Sequence, residues 1–118
     1  MRLQHVSIAI TRDGADRARR FYGGLLGLEE REVPPKLNAS RLIWFRVGGD
    51  CELHLMMHDE RPPDQPHYAL VVDGGLDELR ARLEAAGVET RTPTEIVHRP
   101  RFMCRDPFGN LIELTQFE

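Results

Sequence analysis

The sequence predicts an α+β fold in which two tandem βαβββ modules form a curled, mixed-sheet cup. Three observations lead to this prediction. The order strand, helix, three strands occurs twice within the 118 residues. Each predicted helix is followed by a glycine that can end it, Gly27 or Gly87. Each half also opens on a strand that carries a histidine on its less apolar face, His5 or His67. A repeat of this length indicates two modules and not a solenoid.

The first module is predicted over residues 1–57. Apolar residues alternate along 3–10, which is the pattern of a strand with one buried face. The apolar residues of 15–26 recur at helical spacing, so this segment is predicted to be a helix. Turn signals and runs of strand-forming residues predict the remaining strands at 28–33, 41–47 and 51–57, with a hairpin turn at 48–50.

Residues 58–66 are polar and contain three prolines, which predicts a linker. The second module is predicted over 67–118, so the chain is expected to be one domain of two modules. Its first strand is predicted at 67–72, and leucines in helical register predict a helix over 76–86. The remaining strands are predicted at 88–91, 102–105 and 111–117, with a turn at 106–110.

Composition and charge limit the partners of the protein. Hydrophobic residues make up 41% and charged residues 30%, a balance typical of globular proteins. The net charge of −3 disfavours nucleic acid and anionic membranes as partners, because both attract basic surfaces. No segment approaches the roughly 18 apolar residues of a membrane span, and the N-terminus lacks the apolar core of a signal peptide. We therefore expect a cytoplasmic protein. Cys51 and Cys104 are far apart, which favours two reduced thiols.

Candidate metal ligands lie on the predicted first and last strands of each module. His54 and Glu113 each stand between apolar residues, so strand periodicity points both side chains away from the apolar face. If the first and last strands of each module line one surface, these two side chains converge with His5 and His67. Imidazoles and a carboxylate are the ligands of an open, catalytic divalent metal site.

The second ligand position has an alternative. A different alignment of the two modules selects Glu52, which shares a strand face with His54. His54 and His58 also show an H-x-x-x-H spacing, but the glutamate of the zinc-protease motif is missing and the segment is predicted to be a strand. The mixed-charge run at 29–32 is interpreted as a solvated edge.

Two residues are candidates for substrate binding. Arg101 lies in a region rich in arginine, with Arg99 and Arg105, and can hold a carboxylate or phosphate. The alternative is that these arginines are solvated. Trp44 and Phe45 point to opposite faces of their strand, so one of them, with Trp44 the candidate, can form a wall of the site. Packing in the core is the alternative for either ring.

Four stretches of the chain resemble the vicinal-oxygen-chelate superfamily of glyoxalases, bleomycin-resistance proteins and extradiol dioxygenases. They are residues 5–10 (HVSIAI), 20–28 (RFYGGLLGL), 67–73 (HYALVVD) and 105–114 (RDPFGNLIEL). The resemblance implies ligands at His5, at a position in the strand 51–57, at His67 and at Glu113. A set of three, without a ligand from the strand 51–57, is the arrangement that resemblance to extradiol members implies. Mn, Fe, Ni and Zn all suit such ligands.

The resemblance leaves two classes of function open. In the first, the metal polarises oxygen atoms of a small-molecule substrate and a carboxylate, Glu113 or alternatively Glu52, moves a proton, as in a lyase or isomerase. A ring-cleaving dioxygenase is the variant of this class. In the second, the protein has lost the metal and sequesters a drug or another small molecule. A homodimer is implied by the resemblance in both cases.

Overall fold

The computed structural model describes residues 3–35, 37–49, 51–59 and 67–117. The chain divides into two compact units, residues 1–62 and 63–118. Residues 60–66 of the predicted linker lie outside the described residues. Among the residues that are described, no helix is long and apolar enough to cross a membrane.

The first unit contains a mixed sheet of four strands. They are β1 (His5–Thr11), β2 (Glu29–Arg31), β3 (Leu42–Arg46) and β4 (Glu52–His58). Their order in the sheet is β1-β4-β3-β2. The β1–β4 pair is parallel, whereas β2–β3 and β3–β4 are antiparallel. Strand β4 therefore lies in the sheet between the two strands that carry His5 and Trp44.

The second unit repeats this topology. Its strands are β5 (His67–Val71), β6 (Thr90–Arg91), β7 (Arg101–Arg105) and β8 (Leu111–Thr115). Their order is β5-β8-β7-β6, with β5–β8 parallel and the other two pairs antiparallel. The α+β fold of two βαβββ modules is thereby confirmed. The edge strands β2 and β6 are shorter than the predicted strands 28–33 and 88–91.

The first helix differs from the prediction in its hydrogen bonding. It begins as an α-helical turn, α1 (Ala15–Ala18), and continues as a π-helix, Arg19–Leu25. The Leu26 amide donates to the Phe21 carbonyl, five residues earlier, at 2.9 Å. Apolar spacing predicted the helix over 15–26 but could not reveal this wider turn. Two adjacent aromatic residues of the π-helix, Phe21 and Tyr22, are both buried.

The second helix, α2 (Leu76–Ala85), follows its leucine pattern. Leu76, Leu79 and Leu83 are buried, as expected of the apolar face of an amphipathic helix. Gly87 ends the helix with a φ of 87°, a left-handed conformation that glycine adopts without steric cost. A 3-10 turn, Ala39–Arg41, precedes β3 and was not predicted.

The core of each unit comes from the apolar face of its sheet and from its helix. In the first unit, the Tyr22 ring packs on the Phe45 ring with centroids 5.8 Å apart. Each such side chain stabilises the fold by roughly 1.5–3 kcal/mol relative to an exposed position. The fully buried apolar residues include Ile10, Ile43, Leu53 and Leu55 in the first unit and Leu83, Phe102, Ile112 and Leu114 in the second.

The turn between β7 and β8 is held by one buried carboxylate. Asp106 Oδ1 accepts from the amides of Phe108 (2.9 Å) and Asn110 (2.8 Å). Its Oδ2 accepts from Asn110 Nδ2 at 2.7 Å. Gly109 adopts a φ of 90° in this turn. The turn thus fixes the register in which β7 and β8 pair.

We expect the two cysteines, which are both free, to differ in reactivity. Burial, assisted by the Asp106 carboxylate, raises the pKa of the Cys104 thiol to about 12. Only the thiolate reacts with alkylating reagents. In native protein at pH 8, iodoacetamide should therefore label the half-buried Cys51 and leave Cys104 unmodified until denaturant is added, as peptide mass spectrometry can measure.

The Cys51→Ser variant is the matched control and should stay unlabelled in the native state. Rapid native labelling of Cys104 would contradict the prediction. The same pKa shift predicts that stability falls as pH rises above about 8.5, because the thiol of the unfolded chain ionises there and the buried thiol does not.

Candidate functional site

Three aromatic side chains form a stack on the sheet of the first unit. The His54 ring lies 3.8 Å from the Trp44 indole, nearly parallel to it at 3°. The His5 ring also stacks on His54, at 4.2 Å and 15°. Trp44 is the register partner of His54 in the β3–β4 pair, and His5 lies on β1. Trp44 therefore shares the histidine face, while Phe45 is buried in the core. We call Trp44, His54 and His5 the histidine stack.

A buried carboxylate, Glu52, orients the histidine stack. Its Oε1 lies 3.1 Å from His54 Nε2 and accepts from Gln4 Nε2 at 3.3 Å. The other carboxylate oxygen, Oε2, pairs with the Arg31 guanidinium. Burial raises the pKa of Glu52, but the hydrogen bonds from His54 and Gln4 and the charge of Arg31 together outweigh it. The pKa of Glu52 thus lies below its ordinary value.

The hydrogen bonds assign the tautomers of His5 and His54. His5 Nδ1 lies 2.6 Å from the Gln4 side-chain oxygen, which can only accept, so His5 carries its proton on Nδ1. Burial lowers the pKa of His54, an effect that the neighbouring His5 adds to and that Glu52 opposes. A neutral His54 that donates Nε2–H to Glu52 has its lone pair on Nδ1. In its neutral form, each ring would therefore keep one nitrogen with a free lone pair, as a metal ligand requires.

In the second unit, Glu113 lies among three basic side chains. Its Oε2 is 3.8 Å from His67 Nε2. Its Oε1 lies 3.5 Å from Arg99 Nη2 and 3.4 Å from Arg101 Nη1. Glu113 Oε1 and Arg101 Nε are both buried and make no hydrogen bond to any described residue. The carboxylate thus turns one oxygen to the arginines and the other to the histidine. Arg105 Nη1 instead donates a hydrogen bond to the Gly109 carbonyl of the turn at 2.7 Å.

Strand register identifies the equivalent positions of the two units. His5 pairs with Glu52 across β1–β4, and His54 is two residues beyond that partner. His67 pairs with Leu111 across β5–β8, and Glu113 is likewise two residues beyond. His54 is therefore the counterpart of Glu113, and Glu52 is the counterpart of Leu111. This register favours His54 over Glu52, the choice that the sequence left open.

The donor atoms suit a divalent cation. Two donors of one ion, each at about 2.1 Å from it, can be at most about 4.2 Å apart, and His67 Nε2 and Glu113 Oε2 meet this limit at 3.8 Å. Their separation is too long for a hydrogen bond. Among the described residues, no group of three or more His, Cys, Asp or Glu side chains is placed to hold a metal. The ligand role of His5, His54, His67 and Glu113 stays a prediction.

Sequence reasoning missed the residues that support these donors. Gln4 joins His5 to Glu52, and Arg31 neutralises Glu52. Arg31 belongs to the charge run interpreted as a solvated edge, yet it is the register partner of Trp44 in the β2–β3 pair. Strand periodicity alone could not show this, because Arg31 reaches the face that carries Trp44 through the register of the β2–β3 pair, which the spacing of residues along one strand does not determine.

Comparisons with known proteins agree with this architecture. The model of the Glyoxalase/Bleomycin resistance protein/Dioxygenase superfamily matches residues 2–114. A putative glyoxalase family protein from Bacillus anthracis is similar, with 30% identity, a TM-score of 0.91 and coverage of 100% of this chain and 96% of that one. TnmS3, an antibiotic binding protein from Streptomyces sp. CB03234, has 26% identity, a TM-score of 0.77 and coverage of 100% and 97%.

A lactoylglutathione lyase from Agrobacterium tumefaciens shares the fold, at 21% identity, a TM-score of 0.71 and coverage of 98% and 92%. No curated protein matches the chain. The family model spans both modules and includes all four candidate ligand positions. The chain belongs to the Glyoxalase/Bleomycin resistance protein/Dioxygenase superfamily.

Proposed function

We propose that the protein is a metal-dependent enzyme, a lyase or isomerase, whose small-molecule substrate binds a divalent ion through oxygen atoms. His5, His54, His67 and Glu113 are the proposed ligands. The observation that carries the proposal is the repeated register, which gives the first and last strands of both sheets a metal-type donor at equivalent positions. A bound ion would supply Lewis-acid polarisation of the substrate oxygens.

Glu113 is the proposed proton carrier. A general base needs an oxygen that can accept a proton, and Glu113 Oε1 accepts no hydrogen bond from the described residues, although Arg99 and Arg101 approach it at 3.5 and 3.4 Å. Glu52 is the poorer base, because its pKa is lowered and its two oxygens are engaged by His54, Gln4 and Arg31. The same contacts give Glu52 a positioning role, in which it holds the His54 ring and selects its tautomer.

A second candidate function is metal-free binding of a small molecule. The histidine stack favours it, because the exposed His5 ring at its end offers an aromatic group on which a planar ligand can pack. The indole nitrogen of Trp44 is also a buried donor with no partner among the described residues. The similarity to TnmS3, an antibiotic binding protein, supports this candidate.

A ring-cleaving dioxygenase using His5, His67 and Glu113 is the variant of the first proposal.

Metal content distinguishes the two functions. Protein purified without chelator and reconstituted in turn with Mn, Fe, Ni and Zn should hold about one ion per chain by elemental analysis. The His67→Ala variant should hold far less, since it lacks a proposed ligand. Ligating imidazoles must be neutral, so protonation of the ligands at acidic pH should lower the metal affinity.

His58→Ala is the matched control, because His58 is an exposed histidine at the end of β4 and is not a proposed ligand. It should bind metal as the unmodified chain does. If the unmodified chain holds no more metal than His67→Ala, the metal-dependent function is wrong and the binding function replaces it. The homodimer implied by family resemblance stays a prediction.

A further inference from the structure

A cavity of about 340 Å³ lies in the second unit, lined by residues 92–96 and 98–101. Its wall includes the two arginines that approach Glu113. We infer that this cavity holds an oxyanion, a carboxylate or phosphate group, of the substrate. The inference rests on the proposed function only in naming the ligand a substrate, since the oxyanion site itself needs no metal.

The hydrogen bonding of Arg101 is incomplete. A guanidinium has five N–H donors in a planar fork that fits a carboxylate or phosphate. Arg101 Nη2 donates to the Thr94 carbonyl at 2.8 Å, which ties the side chain to the cavity wall. Its Nε is buried without a partner among the described residues. Its contact with Glu113 Oε1, at 3.4 Å, is longer than the roughly 2.7–2.9 Å of a good charge-assisted hydrogen bond.

Arg99 and Arg101 together carry more charge than Glu113 can balance. Both approach the same oxygen, Oε1, at 3.5 and 3.4 Å. Two cations that share one loosely held carboxylate leave a net positive charge, and because both approach the same oxygen they are near enough to repel each other. Glu95 also lines the cavity, but it is exposed to solvent, where its charge is screened. An oxyanion between the guanidinium groups would complete their hydrogen bonding and relieve the repulsion.

The backbone that carries the two arginines is anchored. The Pro100 carbonyl accepts from Thr115 Oγ1 at 3.1 Å and from the Gln116 amide at 3.0 Å. Thr115 is fully buried on β8, two residues after Glu113. His98, just before Arg99, holds a left-handed conformation with a φ of 61°, which is uncommon outside glycine. The arginines therefore project from a fixed segment, as a preorganised binding site requires.

The position of this cavity indicates the class of substrate. Glu113 turns Oε1 to the arginines and Oε2 to His67, a proposed metal ligand. A group held by the arginines would thus lie next to the proposed metal-binding atoms. The substrate is accordingly a small organic acid or phosphate ester whose chelating oxygens adjoin its anionic group.

Isothermal titration of the full chain with inorganic phosphate and with acetate, in the presence of a metal chelator, tests the inference. We expect at least one of the two oxyanions to bind, and the tighter one identifies the group. Arg101→Gln should weaken this binding at least about tenfold, because it removes the fork and the charge. Arg91→Gln is the matched control: Arg91 is an exposed arginine on β6 outside the cavity lining, and its loss should change the affinity less than about twofold.

Arg101→Lys provides a second measurement, since it keeps the charge and loses the planar fork. It should weaken binding at least about threefold, and it decides the question if Arg101→Gln does not fold. Failure of both oxyanions to bind the unmodified chain at millimolar concentrations would overturn the inference. So would an affinity in both Arg101 variants equal to that of the unmodified chain. Because these titrations exclude metal, their failure leaves the metal measurement on His67→Ala unaffected, and the two proposals fail separately.

Discussion

Replacing Asp106 with alanine is expected to destabilise the second unit by about 3 kcal/mol. The Asp106 carboxylate is buried and accepts three hydrogen bonds, from the Phe108 and Asn110 amides and from Asn110 Nδ2. Alanine would leave these donors without that acceptor, and each unsatisfied buried donor costs about 1–3 kcal/mol. The expected decrease in the melting temperature is about 10 °C, measured by thermal unfolding followed by circular dichroism.

Two variants control this measurement. Asp73→Ala removes an exposed aspartate of the same unit and should change the free energy of unfolding by less than about 0.5 kcal/mol. Asp106→Asn keeps one carbonyl acceptor and should fall between Asp106→Ala and the unmodified chain. Equal stability of Asp106→Ala and Asp73→Ala would show that the carboxylate does not hold the turn.

The Asp106 turn also explains how part of the site follows from the sequence. The turn joins β7 to β8 and sets Met103 opposite Glu113. Arg101, two residues before Met103, is then a diagonal neighbour of Glu113 on the same face. The sequence showed the turn signal and placed Glu113 between two apolar residues, and these two local patterns determine the pairing.

Strand periodicity predicted the faces of the sheets better than it predicted burial. His54 and Trp44 lie on one face, as alternation requires. The same alternation marks Glu52 and Glu113 as pointing away from the core, yet both are buried. Their burial depends on Arg31 in one unit and on Arg99 and Arg101 in the other. Such partners come from other strands and loops, and a pattern within one strand contains no information about them.

The π-helix over Arg19–Leu25 could not be predicted from the sequence, for a different reason. Its apolar positions fit a period of 3.6, so the pattern predicts an α-helix. The choice of hydrogen-bond partner depends on packing, in which Phe21 and Tyr22 are both buried and Tyr22 lies against Phe45. Small energy differences between helix types are decided by such tertiary contacts, which the spacing of residues along one segment does not encode.

Substituting glutamine for each of the two buried carboxylates should distinguish a metal ligand from a positioning residue. Glu113→Gln is expected to lower metal affinity more than about 100-fold, because the variant loses the only anionic donor among the four proposed ligands. Glu52→Gln should lower it by only about tenfold, the lower end of the effect of changing a residue that orients a ligand, since the amide oxygen can still accept from His54 Nε2 and hold its tautomer. The measurement is competition for Zn or Ni against a chromophoric chelator.

The two variants are closely matched, because each removes one charge from a buried carboxylate that is paired with arginine. A general loss of stability would therefore affect both, and circular dichroism reports it independently. A larger loss of affinity in Glu52→Gln would make Glu52 the ligand of the first unit, against the register argument that equates His54 with Glu113. If the metal affinity is unchanged in both variants, neither carboxylate belongs to the metal site. The aromatic surface formed by His5, His54 and Trp44 would then be the better basis for function, as a site that binds a small molecule without metal.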